Sequence, residues 1–193
     1  MATETATASR LPLIDVETME GAAGDTLRSL PMRMNIIAMA AHARSCVIPQ
    51  LMLGNSVMNE QSLPGLRREL LILLAARIDG AQYVWSQHRV IAEKLGASPA
   101  MVEAIEGLEL SSDAFDEAER ALLAFGRQVI ESGDVADEVF ARLSRHFTAQ
   151  EIIEAIIAIG YYMTMNRLTL ATRTPLEPGA EKTMMRKGSQ DEN

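Results

Sequence analysis

The stretch that decides the fold runs from residue 69 to residue 88 and reads ELLILLAARIDGAQYVWSQH. Its first half is almost wholly apolar, a run of Leu, Ile and Ala that predicts a buried helix. Asp79 and Gly80 predict the end of that helix, because glycine readily adopts the left-handed conformation found just past a helix C-terminus. A second helix is predicted to follow at once. The sequence therefore predicts two adjacent antiparallel helices joined by a tight turn.

His88 lies on the apolar side of the second predicted helix. An imidazole that faces a core without a hydrogen-bond partner costs on the order of 1–3 kcal/mol, so we expect it to have a partner or a function. Helical periodicity over residues 81–96 places Gln82, Ser86, Arg89 and Glu93 on the polar face and Ala81, Val84, Trp85, His88, Ile91, Ala92 and Leu95 on the apolar face.

Glu69 is the expected partner of His88. Residues at similar distances from the turn of a helical hairpin lie side by side. A carboxylate beside an imidazole raises its basicity and fixes its tautomer, which poises it as a general acid or base near neutral pH. The alternative is a structural pair, in which His88 is a core histidine bonded to a backbone carbonyl or to Glu69 and Glu69 complements the helix dipole.

The composition predicts a single all-α domain. The chain has 193 residues with 48% hydrophobic content, which is enough for one well-buried core and short for two domains. Aromatic residues make up only 4%, so the core is aliphatic and favours helix over strand. A formal net charge of -8 with no basic block argues against nucleic acid and against an anionic membrane surface as partners.

The cysteine content and the N-terminus predict a cytoplasmic protein. Cys46 is the single cysteine, so no intrachain disulfide can form, which suggests a reducing compartment. The opening residues MATETATASRLPL carry no signal pattern, and the most apolar predicted helix is too short to span a bilayer. Neither export nor membrane insertion is expected.

Three segments are expected along the chain. The Thr, Ser, Ala and Gly content near the N-terminus predicts an extended or partly ordered arm, and the polar residues after Pro175 predict a mobile tail. The expected segments are the arm over residues 1–25, an all-helical domain over residues 26–174 and the tail over residues 175–193.

Two local signals place helices inside the predicted domain. A first helical region over residues 34–52 is expected to be interrupted or to end near Pro49, since proline removes an amide donor and clashes with the preceding turn. Thr148 and Glu151 form a capping box that predicts the start of a long apolar helix running to about Thr172.

Metal and cofactor motifs are absent from the sequence. His42, His88 and His146 lie on different predicted helices, and no HExxH or CxxC spacing exists. The sequence also lacks the glycine-rich phosphate-binding motifs of nucleotide and dinucleotide sites. We therefore expect no bound metal and no cofactor.

The segment RRELLILLAARIDGAQYVWSQHRVIAEKLGASPAMVEAI, residues 67–105, resembles the core of the carboxymuconolactone decarboxylase and alkylhydroperoxidase D (AhpD) superfamily. The resemblance implies an all-helical bundle that assembles as a homotrimer or homohexamer. A dimer also remains open. The apolar, methionine-rich first and last helices are the expected subunit contacts.

The peroxidase branch of this superfamily has a glutamate, eleven residues, Cys-x-x-Cys, three residues and a histidine. Glu69 and His88 match its glutamate and histidine, whereas Ala81 and Val84 occupy the two cysteine positions. A thiol peroxidase needs an attacking thiolate and a resolving thiol, so this activity is disfavoured. The chain is more similar to the cysteine-free, decarboxylase-like members, in which YxWxQH is a frequent form of this segment.

The resemblance implies a cofactor-free lyase that acts on a small carboxylated lactone or enone. Such a substrate supplies its own electron sink, so the protein needs only hydrogen-bond donors and a proton shuttle. His88 would be the general acid or base, and Glu69 would orient it. The expected substrate-binding residues are Trp85 as a wall, Tyr83 and Gln87 as donors to an oxyanion, and Tyr162, Asn166 and Arg167 of the last helix, with Arg167 binding the carboxylate.

Two alternatives stay open. The first is an isomerase or a ring-opening hydrolase that acts on a similar substrate. The second is a non-catalytic oligomeric binding protein, which a closed site without a cavity beside His88 would favour. The sequence leaves the substrate, the stereochemistry and the oligomer number open.

Overall fold

The computed structural model describes residues 8–185. Within this range the chain is helical and has no β-strand, which confirms the all-α prediction. The helices are α1 (Gly21–Ser29), α2 (Asn35–Ala40), α3 (Val47–Asn59), α4 (Gly65–Asp79), α5 (Gln82–Lys94), α6 (Pro99–Glu106), α7 (Glu117–Glu131), α8 (Asp137–Leu143) and α9 (Ala149–Thr172), and a short 3₁₀ helix follows at Ala180–Thr183.

Helix α4 is the centre of the fold. Every residue from Arg68 to Ala76 is buried, as expected for a helix that is apolar on nearly all sides. Helices α5, α7 and α9 pack around it. The side chains of Trp85, Phe115 and Phe125 are fully buried in the same core.

A two-residue turn joins α4 to α5. Gly80 has a φ of +72°, which is the left-handed conformation predicted for it. The Ala81 N–H donates to the carbonyl of Ala76 at 2.8 Å, so the last turn of α4 is closed by the residue that starts α5. Helix α5 therefore folds back along α4 and brings Glu69 and His88 together, as the sequence predicts.

Helix α9 lies against α4 and runs in the same direction. Near the start of α9, the Glu154 carboxylate accepts from the Leu63 N–H at 2.8 Å, just ahead of α4. Near the other end, Asn166 Nδ2 donates to Asp79 Oδ2 at 2.9 Å, at the last residue of α4. Between these two contacts α9 presents Tyr162 to the face of α5 that carries His88.

The start and end of α9 match the sequence prediction. The Thr148 hydroxyl accepts from the Glu151 N–H at 3.3 Å, and the Glu151 carboxylate accepts from the Thr148 N–H at 2.8 Å, so the capping box is present. The helix ends at Thr172. Neither α9 nor any other helix within residues 8–185 is both long enough and apolar enough to cross a membrane.

The first helical region differs from the prediction. Helix α2 ends at Ala40 and α3 starts at Val47, so the break comes before Pro49 and not at it. Pro49 lies in the first turn of α3, where a backbone N–H would have no intrahelical acceptor. Proline therefore helps to begin a helix here, because its fixed φ suits a first turn.

The predicted N-terminal arm is partly helical, since α1 begins at Gly21. The Arg10 N–H donates to the carbonyl of Thr172 at 2.8 Å, and the His42 ring donates to the carbonyl of Pro12 at 2.8 Å. The described part of the arm thus lies against the end of α9 and the end of α2. Residues 1–7 of the arm lie outside the described residues.

The beginning of the predicted mobile tail is packed. The Thr183 hydroxyl donates to the carbonyl of Ser86 at 3.0 Å, and the Met185 N–H donates to the Gln82 side chain at 2.9 Å. Residues 175–185 therefore lie against α5 and bury Ser86, which helical periodicity places on the polar face. Residues 186–193 lie outside the described part of the chain.

The contact between α4 and α7 depends on a residue without a side chain. A Cβ added at Gly126 would lie 2.5 Å from Leu71 Cδ2. We expect Gly126→Ala to lower the free energy of unfolding by about 1–2 kcal/mol, although alanine favours helix by about 1 kcal/mol, because the packed leucine must move. Urea unfolding measures this change.

Leu71→Ala supplies the control, since it removes the atom that Gly126→Ala would meet. In that background the same glycine substitution is expected to be neutral or to stabilise by up to about 1 kcal/mol. An equal loss in both backgrounds would contradict the predicted contact.

Candidate active site

The predicted pair of Glu69 and His88 is present and buried. His88 Nδ1 lies 2.7 Å from Glu69 Oε2, and the Glu69 side chain is fully buried. Arg68 Nη2 lies 3.1 Å from Glu69 Oε1, and the Arg68 side chain is only 7% exposed. The carboxylate is therefore held between a guanidinium and an imidazole in the middle of the core.

This arrangement fixes the tautomer of His88. An ionised carboxylate only accepts hydrogen bonds, so Nδ1 must carry the proton that bonds to Glu69. In the neutral ring Nε2 then holds the lone pair. Within residues 8–185 no side chain or backbone group is hydrogen-bonded to His88 Nε2, so this nitrogen is the one available to a ligand.

A cavity of about 410 Å³ adjoins His88. This volume lies in the lower part of the range of roughly 300–1,000 Å³ that is typical of small-molecule sites. Helices α2, α3, α5 and α9 and the loop before α2 supply its walls. The lining residues are Met32, Met34, Ile36, Ile37, Ala40, Val47, Gln50, Leu51, Gly54, Asn55, Met58, Asn59, Tyr83, Val84, Gln87, His88, Tyr161, Tyr162 and Met165.

Tyr162 is the aromatic neighbour of His88 in this cavity. The two rings meet edge to face with centroids 4.5 Å apart, and the Tyr162 hydroxyl bonds to Met58 Sδ at 3.0 Å. Burial and the nearby charge of Glu69 raise the pKa of Tyr162 well above its ordinary value, so its hydroxyl stays protonated. Since a thioether is a weak acceptor, this hydroxyl can turn to a stronger acceptor on a ligand.

Tyr83 and Gln87 line the cavity as predicted, but their donors point to a protein carboxylate. The Tyr83 hydroxyl and Gln87 Nε2 both donate to Glu177, the second at 2.6 Å. The Tyr83 oxygen also accepts from the Ile36 N–H at 3.1 Å. Burial, together with the bond to Glu177, raises the pKa of Tyr83 above its ordinary value. Tyr83 is thus a fixed wall of the cavity, because both sides of its hydroxyl are occupied.

Trp85 does not wall the cavity. Its side chain is fully buried in the main core, on the part of α5 that faces α4. Successive helical residues differ by 100°, so Trp85 and His88 share the apolar half of α5 without pointing to the same place. Its indole N–H is buried without a hydrogen-bond partner among the described residues.

Asn166 and Arg167 do not line the cavity either. Asn166 is fully buried one turn beyond Tyr162 and donates to Asp79 at the end of α4. Arg167 is exposed, and its guanidinium lies 3.6 Å from the same Asp79. Met165, one residue before Asn166, does line the cavity. Successive helical residues point about 100° apart, so Asn166 turns toward Asp79 and Arg167 toward solvent, and the predicted carboxylate clamp does not form at this cavity.

Three residues of the site are missing from the sequence prediction. Arg68 supports Glu69 from the neighbouring position on α4, where side chains normally point about 100° apart. Glu177 reaches the site from a segment predicted to be mobile. Met58 contacts Tyr162 from α3, which no local pattern places near α9. Of the three, only Arg68 gives a sequence signal, because it lies just before the apolar run of α4 and a charge buried there needs a partner.

Two other candidate sites have no support in the geometry. Cys46 is exposed at the start of α3 and is not among the cavity-lining residues. Within the described residues, no group of three or more His, Cys, Asp or Glu side chains has an arrangement that could hold a metal ion.

Solved structures with the same fold are AhpD-like and peroxidase-related proteins. A protein of unknown function from Agrobacterium tumefaciens, for which an AhpD antioxidant defence role has been suggested, is 25% identical over 72% of this chain and 94% of that one, with a TM-score of 0.66. An uncharacterized peroxidase-related protein with an AhpD core from Ralstonia eutropha is 16% identical over 89% of this chain and 94% of that one, with a TM-score of 0.77.

An enzyme is also among the similar structures. The debrominase Bmp8, as a variant with a cysteine replaced by alanine and in complex with 2,3,4-tribromopyrrole, is 22% identical over 91% of this chain and 94% of that one, with a TM-score of 0.71. No family model and no curated protein sequence matches the chain.

The chain therefore has the AhpD-like fold, consistent with the carboxymuconolactone decarboxylase and alkylhydroperoxidase D superfamily. The resemblance found in residues 67–105 is confirmed at this level.

The buried charge cluster makes a stability prediction. Glu69→Leu leaves Arg68 buried without its carboxylate, and we expect a loss of about 3–5 kcal/mol in the free energy of unfolding. Adding Arg68→Met should recover part of this loss, because the double variant no longer buries an unpaired charge. Urea unfolding of the two variants and the wild type measures the difference.

Glu131→Leu is the matched control for Glu69→Leu, since Glu131 pairs with Arg127 at 2.9 Å on the surface. It should change stability by no more than about 1 kcal/mol. A Glu69→Leu loss as small as that of the control would mean that Arg68 finds another partner.

Proposed function

We propose that this chain is an acid–base enzyme that transfers a proton on a small carbonyl-bearing substrate, a lactone or an enone, held in the cavity beside His88. The observation that carries the proposal is the geometry of His88. Its Nδ1 is bonded to a buried carboxylate at 2.7 Å, and its ring lines a cavity of about 410 Å³. An imidazole held in this way can accept a proton at Nε2 while Glu69 stabilises the imidazolium that results.

The proposed reaction begins with His88 Nε2 taking a proton from the carbon next to the carbonyl. The electron pair of the broken C–H bond moves into the new C=C bond of an enolate, and the negative charge develops on the former carbonyl oxygen. Tyr162 donates a hydrogen bond to that oxygen, which lowers the energy of the charged intermediate. The imidazolium then returns the proton, either to the same carbon or to the far end of a conjugated system.

A lyase and an isomerase share this machinery and differ in the bond that breaks. In decarboxylation, His88 Nε2 takes the proton of the substrate's carboxylic acid, the C–C bond to the resulting carboxylate breaks, and carbon dioxide leaves. The electron pair of that bond stays in the enolate, and the imidazolium then gives its proton to the carbon. In isomerisation, the same proton leaves one carbon and returns to another, so the double bond moves. The isomerase is favoured by one observation: among the described residues that line the cavity, none is a lysine or an arginine that could hold a carboxylate.

The similar structures support a small ring as the substrate. Bmp8 is a debrominase, and its structure holds 2,3,4-tribromopyrrole. A shared fold alone does not fix a ligand, so the proposal also needs a cavity of suitable size in this chain. In this chain the apolar cavity beside His88 is the place that we propose for such a ring.

The rival function is a non-catalytic binding protein that keeps Glu69 and His88 as a structural pair. A site closed around His88 would favour it. The cavity beside His88 and the uncommitted Nε2 favour an enzyme instead, because a purely structural histidine gains nothing from facing an open space.

Deuterium exchange tests the enzyme without knowledge of the product. Small β,γ-unsaturated lactones and enones, with and without a carboxylate, are incubated with the protein in D₂O and followed by proton NMR. We expect the wild type to catalyse deuterium uptake next to the carbonyl, and His88→Gln to be slower by about 10²–10⁴-fold. Double-bond migration and loss of the carboxylate carbon distinguish isomerase from lyase in the same spectra.

His42→Gln is the control, since His42 is exposed at the end of α2 and is not among the lining residues. It should exchange at the wild-type rate. The proposed acid–base function would be contradicted if His88→Gln exchanged at the wild-type rate, or if the wild type exchanged none of the compounds.

We also propose that the chain self-associates through an exposed apolar strip on α9. Ile153, Ile156 and Ile157 are 56%, 39% and 42% exposed, and their spacing places them on one face of the helix. Met52 and Leu53 on α3 are exposed too. Contiguous exposed apolar residues on a helix are typical of a subunit contact.

Ile157→Glu tests the self-association. We expect it to shift the protein from an oligomer toward a monomer, because the contact would have to bury a carboxylate. Size-exclusion chromatography with light scattering measures the mass. Leu11→Glu is the matched control, since Leu11 is 45% exposed and follows Arg10, whose N–H bonds to Thr172 at the opposite end of α9 from the strip. A monomeric wild type, or equal effects of both variants, would contradict the proposed contact.

A further inference from the structure

We infer that the cavity beside His88 accepts uncharged ligands and excludes carboxylates, so that the substrate is a neutral carbonyl compound. This inference names the substrate class of the acid–base site and rests on the proposed function for its catalytic meaning. It departs from the carboxylated substrate that the family resemblance implies.

The walls of the cavity contain no charged side chain among the described residues. Their polar groups are three tyrosine hydroxyls, four side-chain amides and one imidazole, and four methionine thioethers lie among the aliphatic residues. Thioethers and tyrosine rings pack well against flat, polarisable ligands. The lining thus favours a mainly apolar ligand with one or two hydrogen-bonding groups.

A layer of carboxylates lies directly behind this uncharged wall. Glu69 bonds to His88, and Glu177 bonds to Tyr83 and Gln87. Glu60 accepts from Asn55 Nδ2 at 3.1 Å. Each of the three glutamates is therefore one hydrogen bond away from the cavity, at a different part of the wall.

The nearby cations do not balance this layer. Arg68 is taken up by Glu69, and Arg33, which follows the lining residue Met32, pairs with Glu17 at 2.7 Å. Neither Glu60 nor Glu177 forms an ion pair within residues 8–185. Two negative charges thus remain behind the wall without a basic partner.

An anionic ligand would meet two unfavourable effects in this site. Its carboxylate would lose hydration on entering an apolar cavity, and no cation in the wall would compensate for that loss. It would also be repelled by Glu69 and Glu177, which are buried or half-buried and therefore weakly screened, and to a smaller degree by the exposed Glu60. A neutral carbonyl loses much less hydration and can accept a hydrogen bond from Tyr162.

A cationic ligand is disfavoured for a different reason. The carboxylates lie behind the wall, and their oxygens already accept from Arg68 or from the imidazole, tyrosine and amide donors that line the cavity. An ammonium group inside would therefore lose its hydration without a direct ionic partner. The carboxylates behind the wall attract a cation at a distance, which partly offsets this loss. The test therefore includes a cationic ligand.

The test compares ligands that share a ring and differ in charge. Acetophenone, benzoate and phenyltrimethylammonium are titrated into the full-length protein, and binding is followed by isothermal calorimetry or ligand-observed NMR. We expect acetophenone to bind at least about 10-fold more tightly than either ion. The series is repeated with His88→Gln, which removes any attraction of benzoate to a protonated imidazole, and the order should be the same.

Removing one carboxylate from the layer should weaken the exclusion of anions. Glu177→Gln keeps an acceptor for Tyr83, and Glu60→Gln changes an exposed side chain with little effect on folding. Glu177→Gln is expected to raise the affinity for benzoate by about 3–10-fold and Glu60→Gln by less, because Glu60 is screened by solvent, and neither should change the affinity for acetophenone. Glu138→Gln is the control, since it makes the same change in net charge on the exposed surface of α8 and should alter neither affinity.

Three results would overturn the inference: benzoate binding as tightly as acetophenone, phenyltrimethylammonium binding most tightly, or no binding of acetophenone at all. An effect of Glu138→Gln equal to that of Glu177→Gln and Glu60→Gln would also do so, because net charge alone would then explain it.

Binding needs no turnover, so the outcome of this test is separate from the test of the proposed function. If acetophenone binds preferentially but no deuterium exchange occurs, the acid–base function is wrong and the preference for neutral ligands stands. If exchange occurs but benzoate binds as tightly as acetophenone, the function stands and the preference is wrong.

Discussion

The structure depends on one constraint: a carboxylate that is fully buried in the middle of its central helix. Glu69 is surrounded by apolar residues of α4, and a lone charge in that position would cost many kcal/mol. Arg68 and His88 together satisfy both of its oxygens. Because His88 belongs to α5, this requirement sets how α5 lies along α4, and the tight turn at Gly80 makes the required register possible. Fold and candidate site are thus consequences of the same buried group.

The same constraint decides which atom of His88 can react. Since Glu69 accepts from Nδ1, the ring must present Nε2 toward the side where α3 and α9 leave a cavity. Tyr162 lies against the ring from α9, and its hydroxyl has only a thioether as a partner. An imidazole and a weakly bonded hydroxyl therefore meet at one cavity, whereas the hydroxyl of Tyr83 is held by Glu177. Tyr162 is therefore suited to bind a ligand, whereas Tyr83 only shapes the wall of the cavity.

Local signals in the sequence were sufficient for the parts of the fold that depend on local chemistry. Gly80 predicts the turn because of its backbone freedom, and Thr148 and Glu151 predict the start of α9 because a capping box needs only neighbouring residues. The pairing of Glu69 with His88 follows from the short hairpin. Asn166 and Arg167 show where this reasoning stops: Met165 lines the cavity, but the next two side chains turn toward Asp79 and toward solvent, and which face of α9 borders the cavity depends on how the other helices pack. Glu177 could not be found, because a charged residue in a polar segment carries no sign of the tyrosine it will bind.

The positions of Ala81 and Val84 give the site its chemical character. Val84 lines the cavity next to His88, whereas Ala81 is fully buried at the start of α5. In the peroxidase pattern these two positions hold thiols, which take part in electron transfer, while the glutamate and histidine handle protons. Here the glutamate and the histidine are both present and the two thiol positions are apolar. Among the described residues that line the cavity, the imidazole is the only candidate for a general base. Such a site suits the proton transfer that we propose, and in the same proposal the carboxylates behind its wall select against anionic molecules.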